Sequence, residues 1–580
     1  TGHQRRYIEW HIQMYLLTYS LVSRRWLPLE WGPVVGTGFL APWPHARWDV
    51  GHGVAIRVVK RFMKSKTVLA WSAGSVCILA LTGHLWAQTD QRAVVRPAVA
   101  DSRPGSAGAD RRLPPERFIP QPVTGRLERD LAAMERFRPA YTFWRHIFAV
   151  PDGAIAFGSA VDGRLLAAFP VKGDWVRDGV WEDTSFVTFM ANRSLPDDLW
   201  QRREAVAQLL QSSVGPVLHN PTRGLFVLPN LPRYAAFLSE WGVIYERFGV
   251  PAEIGLAQAL VESGFNGTVR SEARAIGFCQ WLLGNWNRMK QLAPHVIEGH
   301  NQTTQAPYCA AYLSILATKY SSFIPALSEH HTGGANVGRT LINGERLGGV
   351  DVRERYFLGA EFARDLRAAS PGAFSDLYRT YGPRSFLYAE MVFGNASGVA
   401  PLIATTPQSK IFAMRTTRSL TVTDIVRRTG LSAEEIRRFN PALLSRVPVR
   451  ANLYLPRYVS AFGRDVTFWH RPASPAYSSV LTEFLGLDLS VEQWDSASFD
   501  NVLTRFQKRF EATASEEGAV MATALSYVLE ERRSNRQAQI LAEFRSSERV
   551  AQLFEDARLQ RETGRASHEA AVLATDGPTD

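Results

Sequence analysis

Glu262 closes the apolar string AEIGLAQALVES, between Pro251, which can open a helix, and Gly264, which can end one. The spacing predicts a helix over 252–263 with the carboxyl group in its last turn. There the negative end of the helix dipole and apolar surroundings disfavour the ionised form. Both raise the pKa toward the range in which a general acid works. A glutamate at a helix end is, taken alone, most often a solvated surface group. The residues that follow are Ser263, Phe265, Ser271, Gly277 and Gln280. Singly, Ser271 could cap a helix and Gln280 could be a satisfied polar side chain.

Taken together, VESGFNGTVRSEARAIGFCQW resembles the signature of family 1 lytic transglycosylases, the soluble lytic transglycosylase superfamily with a goose-type lysozyme-like fold. The pattern is a helix ending in Glu-Ser, an aromatic soon after, a serine nine positions beyond the glutamate, then Gly-x-x-Gln. Glu262-Ser263, Phe265, Ser271 and Gly277 to Gln280 meet it. A second string, LSEHHTGGANVGRTLINGE, resembles the family's substrate-binding segment. Here His330 stands where the family usually has Tyr and His331 where it has Asn. Downstream, Tyr356 falls where members usually have a Tyr opening the closing helix. The resemblance covers about 240–395.

What the resemblance implies is cleavage of the β-1,4 bond between N-acetylmuramic acid and N-acetylglucosamine by one carboxyl group, Glu262. It would protonate the glycosidic oxygen, then take the proton of the muramoyl C6 hydroxyl as that oxygen closes on C1. An intramolecular hydroxyl and the substrate's N-acetyl group replace the second carboxylate of ordinary glycosidases. By family position Ser263, Ser271, Gly277, Gln280, His330, His331 and Tyr356 would contact substrate, with Tyr356 hydrogen-bonding in the cleft. His330, as an imidazole, would make activity more pH-dependent than a Tyr would. Glu272 has no family role and reads as surface charge. The alternatives are a non-catalytic glycan-binding or scaffold protein, or a hydrolytic goose-type lysozyme. No cofactor is implied, and no Cys/His group has metal-site spacing.

The elements that must position these residues are mainly helical. Apolar residues recur at helical spacing in YAAFLSEWGVIYERFG, PYCAAYLSILATKYSSF and YFLGAEFARDL. The expected class is a mainly α chain, with a lysozyme-like (α+β) catalytic domain over 240–395. Before it, 126–239 mixes types: RLERDLAAMERF reads as helix, GAIAFGSAVDGRLLAAFPV as a strand pair turning at Asp162-Gly163, and REAVAQLLQSS as helix. After it, 408–457 resembles a LysM glycan-binding module. The fit lies in an opening strand at Phe412, a helix carrying Ile425, a helix from Ser432 to Phe439, Asn440-Pro441 and a closing Leu453 to Pro456. The Gly-Asp usual before the first helix is replaced by Thr417-Arg418. The stretch 458–580 reads as helical with a polar, frayed tail.

At the other end, Met63 begins MKSKTVLAWSAGSVCILALTGHLWAQ, laid out like an export signal over 63–88, cleaved or kept as a membrane anchor. Residues 1–62 read as an untranslated or dispensable extension and 89–125 as a linker rich in Arg, Pro, Ala and Gly. The expected setting is the periplasm or cell envelope, with peptidoglycan strands as partner. The formal charge of +11 invites a nucleic-acid reading. Residues 1–66 alone hold ten Lys and Arg against three acids, so what remains is too diffuse for DNA. Of three cysteines, Cys279 and Cys309 would remain after signal cleavage, as one disulfide or as two buried thiols.

Overall fold

The computed structural model describes residues 121–575, apart from 150–152, 183–186, 192, 294–298, 300–301, 380–384, 407–411, 441–442, 457–459, 469–477, 490–493 and 495. The chain divides into two compact units, Thr1–Asp110 and Arg111–Asp580, and all described residues belong to the second. The expected extension (1–62), the expected signal or anchor segment (63–88) and most of the expected linker (89–125) lie outside the described residues.

The second unit is mainly helical and holds three apolar cores. It opens with α1 (Gln121–Phe137) and α2 (Trp144–Ala149). The linker expectation ended at 125, whereas Gln121 already opens α1. A small lobe follows: β1 (Ala154–Ser159), β2 (Leu165–Pro170), β3 (Val180–Trp181), helix α3 (Leu199–Val214) and β4 (Val217–Pro221). The sheet is antiparallel in the order β3-β2-β1-β4. Its β1–β2 turn falls at Asp162-Gly163, where the Asp162 carboxylate accepts the Arg164 amide at 3.1 Å. Phe157, Phe169 and Trp175 fill its separate core.

The largest core is built by α4 (Leu231–Arg247), α5 (Ala252–Ser263), the hairpin β5 (Ala275–Ile276) and β6 (Trp281–Leu282), α6 (Leu283–Leu292), α7 (Gln302–Tyr320), α8 (Phe323–Thr332), α9 (Gly334–Arg346), α10 (Val352–Ala369) and α11 (Tyr388–Thr405). The helix expected over 252–263 forms there. Gly264 ends it in the left-handed region at φ 57°, and a Cβ there would sit 2.2 Å from the Phe226 carbonyl oxygen. Only glycine satisfies both the backbone and the space. Among described helices only Ser385–Thr405 is long and apolar enough to cross a bilayer, and 61% of its most apolar 18-residue window is buried inside the protein. It therefore serves as the core helix that packs along α5.

The small unit comprises β7 (Phe412–Thr416), β8 (Leu420–Thr421), α12 (Val422–Thr429), α13 (Ala433–Phe439), β9 (Arg446–Val447), β10 (Asn452–Leu455) and β11 (Val466–Phe468). Ser432 and Glu435 form a reciprocal capping box that starts α13. The three-stranded sheet runs β10-β7-β11, so the β-α-α-β frame gains a third strand that the sequence pattern did not announce. The unit has its own core around Leu420, Ile425, Ile436 and Leu453.

The C-terminal helices α14 (Ala497–Glu511), α15 (Glu516–Ser534), α16 (Gln537–Ser546) and α17 (Glu548–Thr575) share the largest core. Tyr527 of α15 stacks on Trp281 with centroids 5.4 Å apart, and the Tyr312 hydroxyl donates to Glu531 at 3.3 Å. A flanking region so embedded cannot be removed without opening the hairpin beside Glu262.

Candidate active site

The Glu262 side chain is 12% exposed, at the C-terminal end of α5. Tyr388, the first residue of α11, donates its hydroxyl to Glu262 Oε1 at 2.6 Å. His330 Nε2, from α8, lies 3.5 Å from the same oxygen and 3.1 Å from the Cys279 carbonyl oxygen. Two acceptors face one ring nitrogen, so Nε2 carries the hydrogen. His331 lies flat on the Tyr388 ring, centroids 4.5 Å apart and planes 5° apart. The site is thus assembled from α5, α8, α11 and the turn between β5 and β6 that carries Cys279.

The electrostatics depart from the sequence expectation of a raised pKa. Burial does push the Glu262 carboxyl up, and it is the largest influence. The hydrogen bond and charge of His330, the charge of His331 and the Tyr388 hydroxyl oppose it, and together they hold Glu262 below its ordinary value. The helix dipole loses because specific donors stand within contact distance whereas the dipole is spread over a turn. Burial and the adjacent carboxylate push the Tyr388 hydroxyl far up, so it remains a donor throughout. No carboxylate is among the groups that act most on Glu262.

The supporting shell is polar and buried. Glu329, next to His330, receives Lys319 Nζ at 2.7 Å and the Tyr320 hydroxyl at 2.5 Å. At only 4% exposure Glu329 makes this pairing obligatory, and it pins α8 to α7. The start of α8 is held from α1: Asp130 accepts the Phe323 amide at 2.6 Å, the Ser322 hydroxyl at 2.7 Å and Arg353 Nε at 2.6 Å. Cys279 and Cys309 form a disulfide, which resolves the choice left open by the sequence and ties the hairpin to α7.

The other sequence candidates are distributed unevenly. Ser263 is fully buried and its hydroxyl donates to the Ala259 carbonyl at 2.7 Å, so it is spent on its own helix. Ser271 Oγ accepts the Ala275 amide at 2.9 Å and closes the turn into β5. Gln280 Nε2 donates to the Gly277 carbonyl at 2.8 Å. Gly277, at φ 70°, would carry a Cβ 2.3 Å from Gln305 Nε2, so the hairpin needs glycine there. Tyr356 does not reach Glu262: it is 2% exposed, and its hydroxyl pairs with Ser328 Oγ at 2.5 Å. The tyrosine on Glu262 is Tyr388, which sequence reasoning passed over; its only signal is an aromatic opening a long apolar helix. Among the described residues no group of three or more His, Cys, Asp or Glu could hold a metal ion.

A largely buried carboxyl with one hydroxyl donor, one imidazole donor and no carboxylate among the described groups that act most on it can give and take back a single proton at a bound substrate. Compared with known proteins, the chain matches no family model and no curated sequence.

Proposed function

We propose that the protein is a peptidoglycan lytic transglycosylase that cuts the MurNAc-β-1,4-GlcNAc bond and leaves 1,6-anhydro-MurNAc ends. The observation that carries this reading is Glu262, largely buried and held by Tyr388 and His330, with no carboxylate among the groups that act most on it. In the first step protonated Glu262 gives its proton to the glycosidic oxygen as the C1–O bond breaks and GlcNAc leaves with a free O4 hydroxyl. In the second the Glu262 carboxylate takes the proton of the C6 hydroxyl, and O6 bonds to C1. The proton is returned, so no water is consumed. A hydrolase would need a second carboxylate to activate water or to attack C1.

The small unit, in this reading, is a LysM-like module that holds the glycan and raises its local concentration. The catalytic part is lysozyme-like in the same sense. The Cys279–Cys309 disulfide supports an oxidising compartment, in keeping with export to the periplasm or cell envelope. Digestion of purified sacculi followed by mass analysis of the released muropeptides tests the proposal. Anhydro-muropeptides that disappear with Glu262→Gln are the expected result. Reducing-end products would mean a hydrolase, and binding without release a scaffold.

A further inference from the structure

Between 411 and 465 the chain carries ten arginines and no lysine against four acids. Three of the four acids have partners. Asp465 takes Arg418 and Arg428, Asp424 takes Arg427, and Glu435 closes the capping box with Ser432. Arg415 reaches Glu516 on α15. Four arginines that remain, Arg437, Arg438, Arg446 and Arg450, are exposed and make no ion pair or side-chain hydrogen bond among the described residues. They fall at the end of α13 and in the loop that leads to β10. The loop is folded tightly: the Leu443 amide donates to the Asn440 carbonyl at 2.9 Å, Arg446 pairs with Thr421 across β8 and β9, and the Arg450 amide donates to Thr416 at 2.8 Å.

The same loop presents two apolar side chains outward, Leu444 at 79% exposure and Val449 at 47%. Their neighbours Leu443 and Val447 are anchored in the unit's core, so this outward pose belongs to a fixed frame. Guanidinium groups alone would suit any polyanion. Exposed Leu and Val gain free energy only where an apolar phase adjoins the negative charge, which a glycan or nucleic-acid backbone lacks. A bilayer of anionic lipid offers both within one interface. We propose that this loop is a docking surface for an anionic lipid bilayer, with Leu444 and Val449 entering the interface and Arg437, Arg438, Arg446 and Arg450 against the lipid phosphates. Docking would hold the small unit at the membrane face independently of any apolar segment upstream.

Flotation of the full chain with vesicles tests this, using phosphatidylglycerol mixed with phosphatidylethanolamine against phosphatidylcholine alone. The apolar stretch within 63–88 is common to every sample, so the readout is the extra binding to anionic vesicles. That increment is expected to fall on the order of tenfold or more when all four arginines become glutamate, and severalfold in Leu444→Ser. It is also expected to shrink with added salt and to survive replacement of the four arginines by lysine, which shows the loop still folds. Equal binding to both vesicle types, or an unchanged increment in the four-glutamate variant, would overturn the proposal. So would full displacement by soluble polyglutamate with Leu444→Ser silent, which would identify a site for soluble polyanions.

Discussion

Tyr388 donates its hydroxyl to Glu262 across 2.6 Å, from a helix 126 positions further along the chain. The bond is made in a partly buried setting, where a donor to a charged oxygen is worth about 1.5–3 kcal/mol. Tyr388→Phe keeps the ring that His331 stacks on and removes only the hydroxyl. Anhydro-muropeptide release should fall by about 10- to 100-fold in this variant. Glu262→Gln, which removes the proton carrier, should cost about 10²- to 10⁴-fold, the range a general acid or base supplies. A Tyr388→Phe variant as active as the parent would dissociate that bond from catalysis.

His330 sets which form of Glu262 prevails. The first step of the proposed reaction uses the protonated carboxyl, and His330 favours the carboxylate, so activity should rise as pH falls toward the lowered pKa of Glu262. His330→Gln keeps a donor and removes the charge. Burial, the largest influence, then pushes Glu262 up, and the alkaline limb of the pH–rate profile should move to higher pH. The same change alters stability. A depressed pKa contributes stability above the unfolded value of about 4.5 and loses it as pH falls. That acid-side loss should shrink in His330→Gln, measured by thermal melting at descending pH.

The helices that build the site were legible because their faces are periodic. AEIGLAQALVES became α5 with its two ends as expected, and the Asp162-Gly163 turn formed between β1 and β2. What the pattern could not carry is which distant groups meet. Tyr356 and Tyr388 both stand on long helices, and nothing local tells that one hydroxyl pairs with Ser328 while the other reaches Glu262. The sign of the Glu262 shift failed for the same reason. A helix end can be read in sequence, but an imidazole from α8 beside it cannot. Likewise β11, three residues long, is too short to signal and exists because β7 offers it an edge.

The Cys279–Cys309 bond joins positions 30 apart, and its Cys279 end carries the carbonyl that His330 contacts. Closing a loop of that size constrains the unfolded chain by about 3–4 kcal/mol. Replacing both cysteines by alanine should therefore lower the melting temperature. It should also loosen the carbonyl that fixes the His330 ring, so activity per folded molecule should drop. Reduction of the parent with a thiol should reproduce both effects, and the double variant should be indifferent to thiol. Melting curves and sacculus digestion with and without reductant check this.

Glu240 couples the small unit to the helices around Glu262 through a proton. Its side chain, on α4, accepts Asn452 Nδ2 and the Tyr454 hydroxyl, each at 3.0 Å, while Tyr454 also packs on Phe237 with ring centroids 4.0 Å apart. Burial pushes Glu240 up to about 7, more than the Tyr454 donor, the Arg415 charge and the Asn452 donor pull it down. The folded pKa lies above the unfolded value, so the contribution to stability is complete below about pH 4.5 and is lost as pH rises through about 7. A difference of this size corresponds to about 3 kcal/mol, as an order of magnitude. Glu240→Gln can donate to the Tyr454 oxygen and accept from Asn452 without carrying charge. The parent should thus melt at a lower temperature at pH 8 than at pH 5, and Glu240→Gln should flatten that dependence by gaining stability mainly at pH 8. If the two proteins lost stability equally between pH 5 and pH 8, the Glu240 carboxyl would be ionised in both folded and unfolded chains, and docking of the small unit would not depend on its proton.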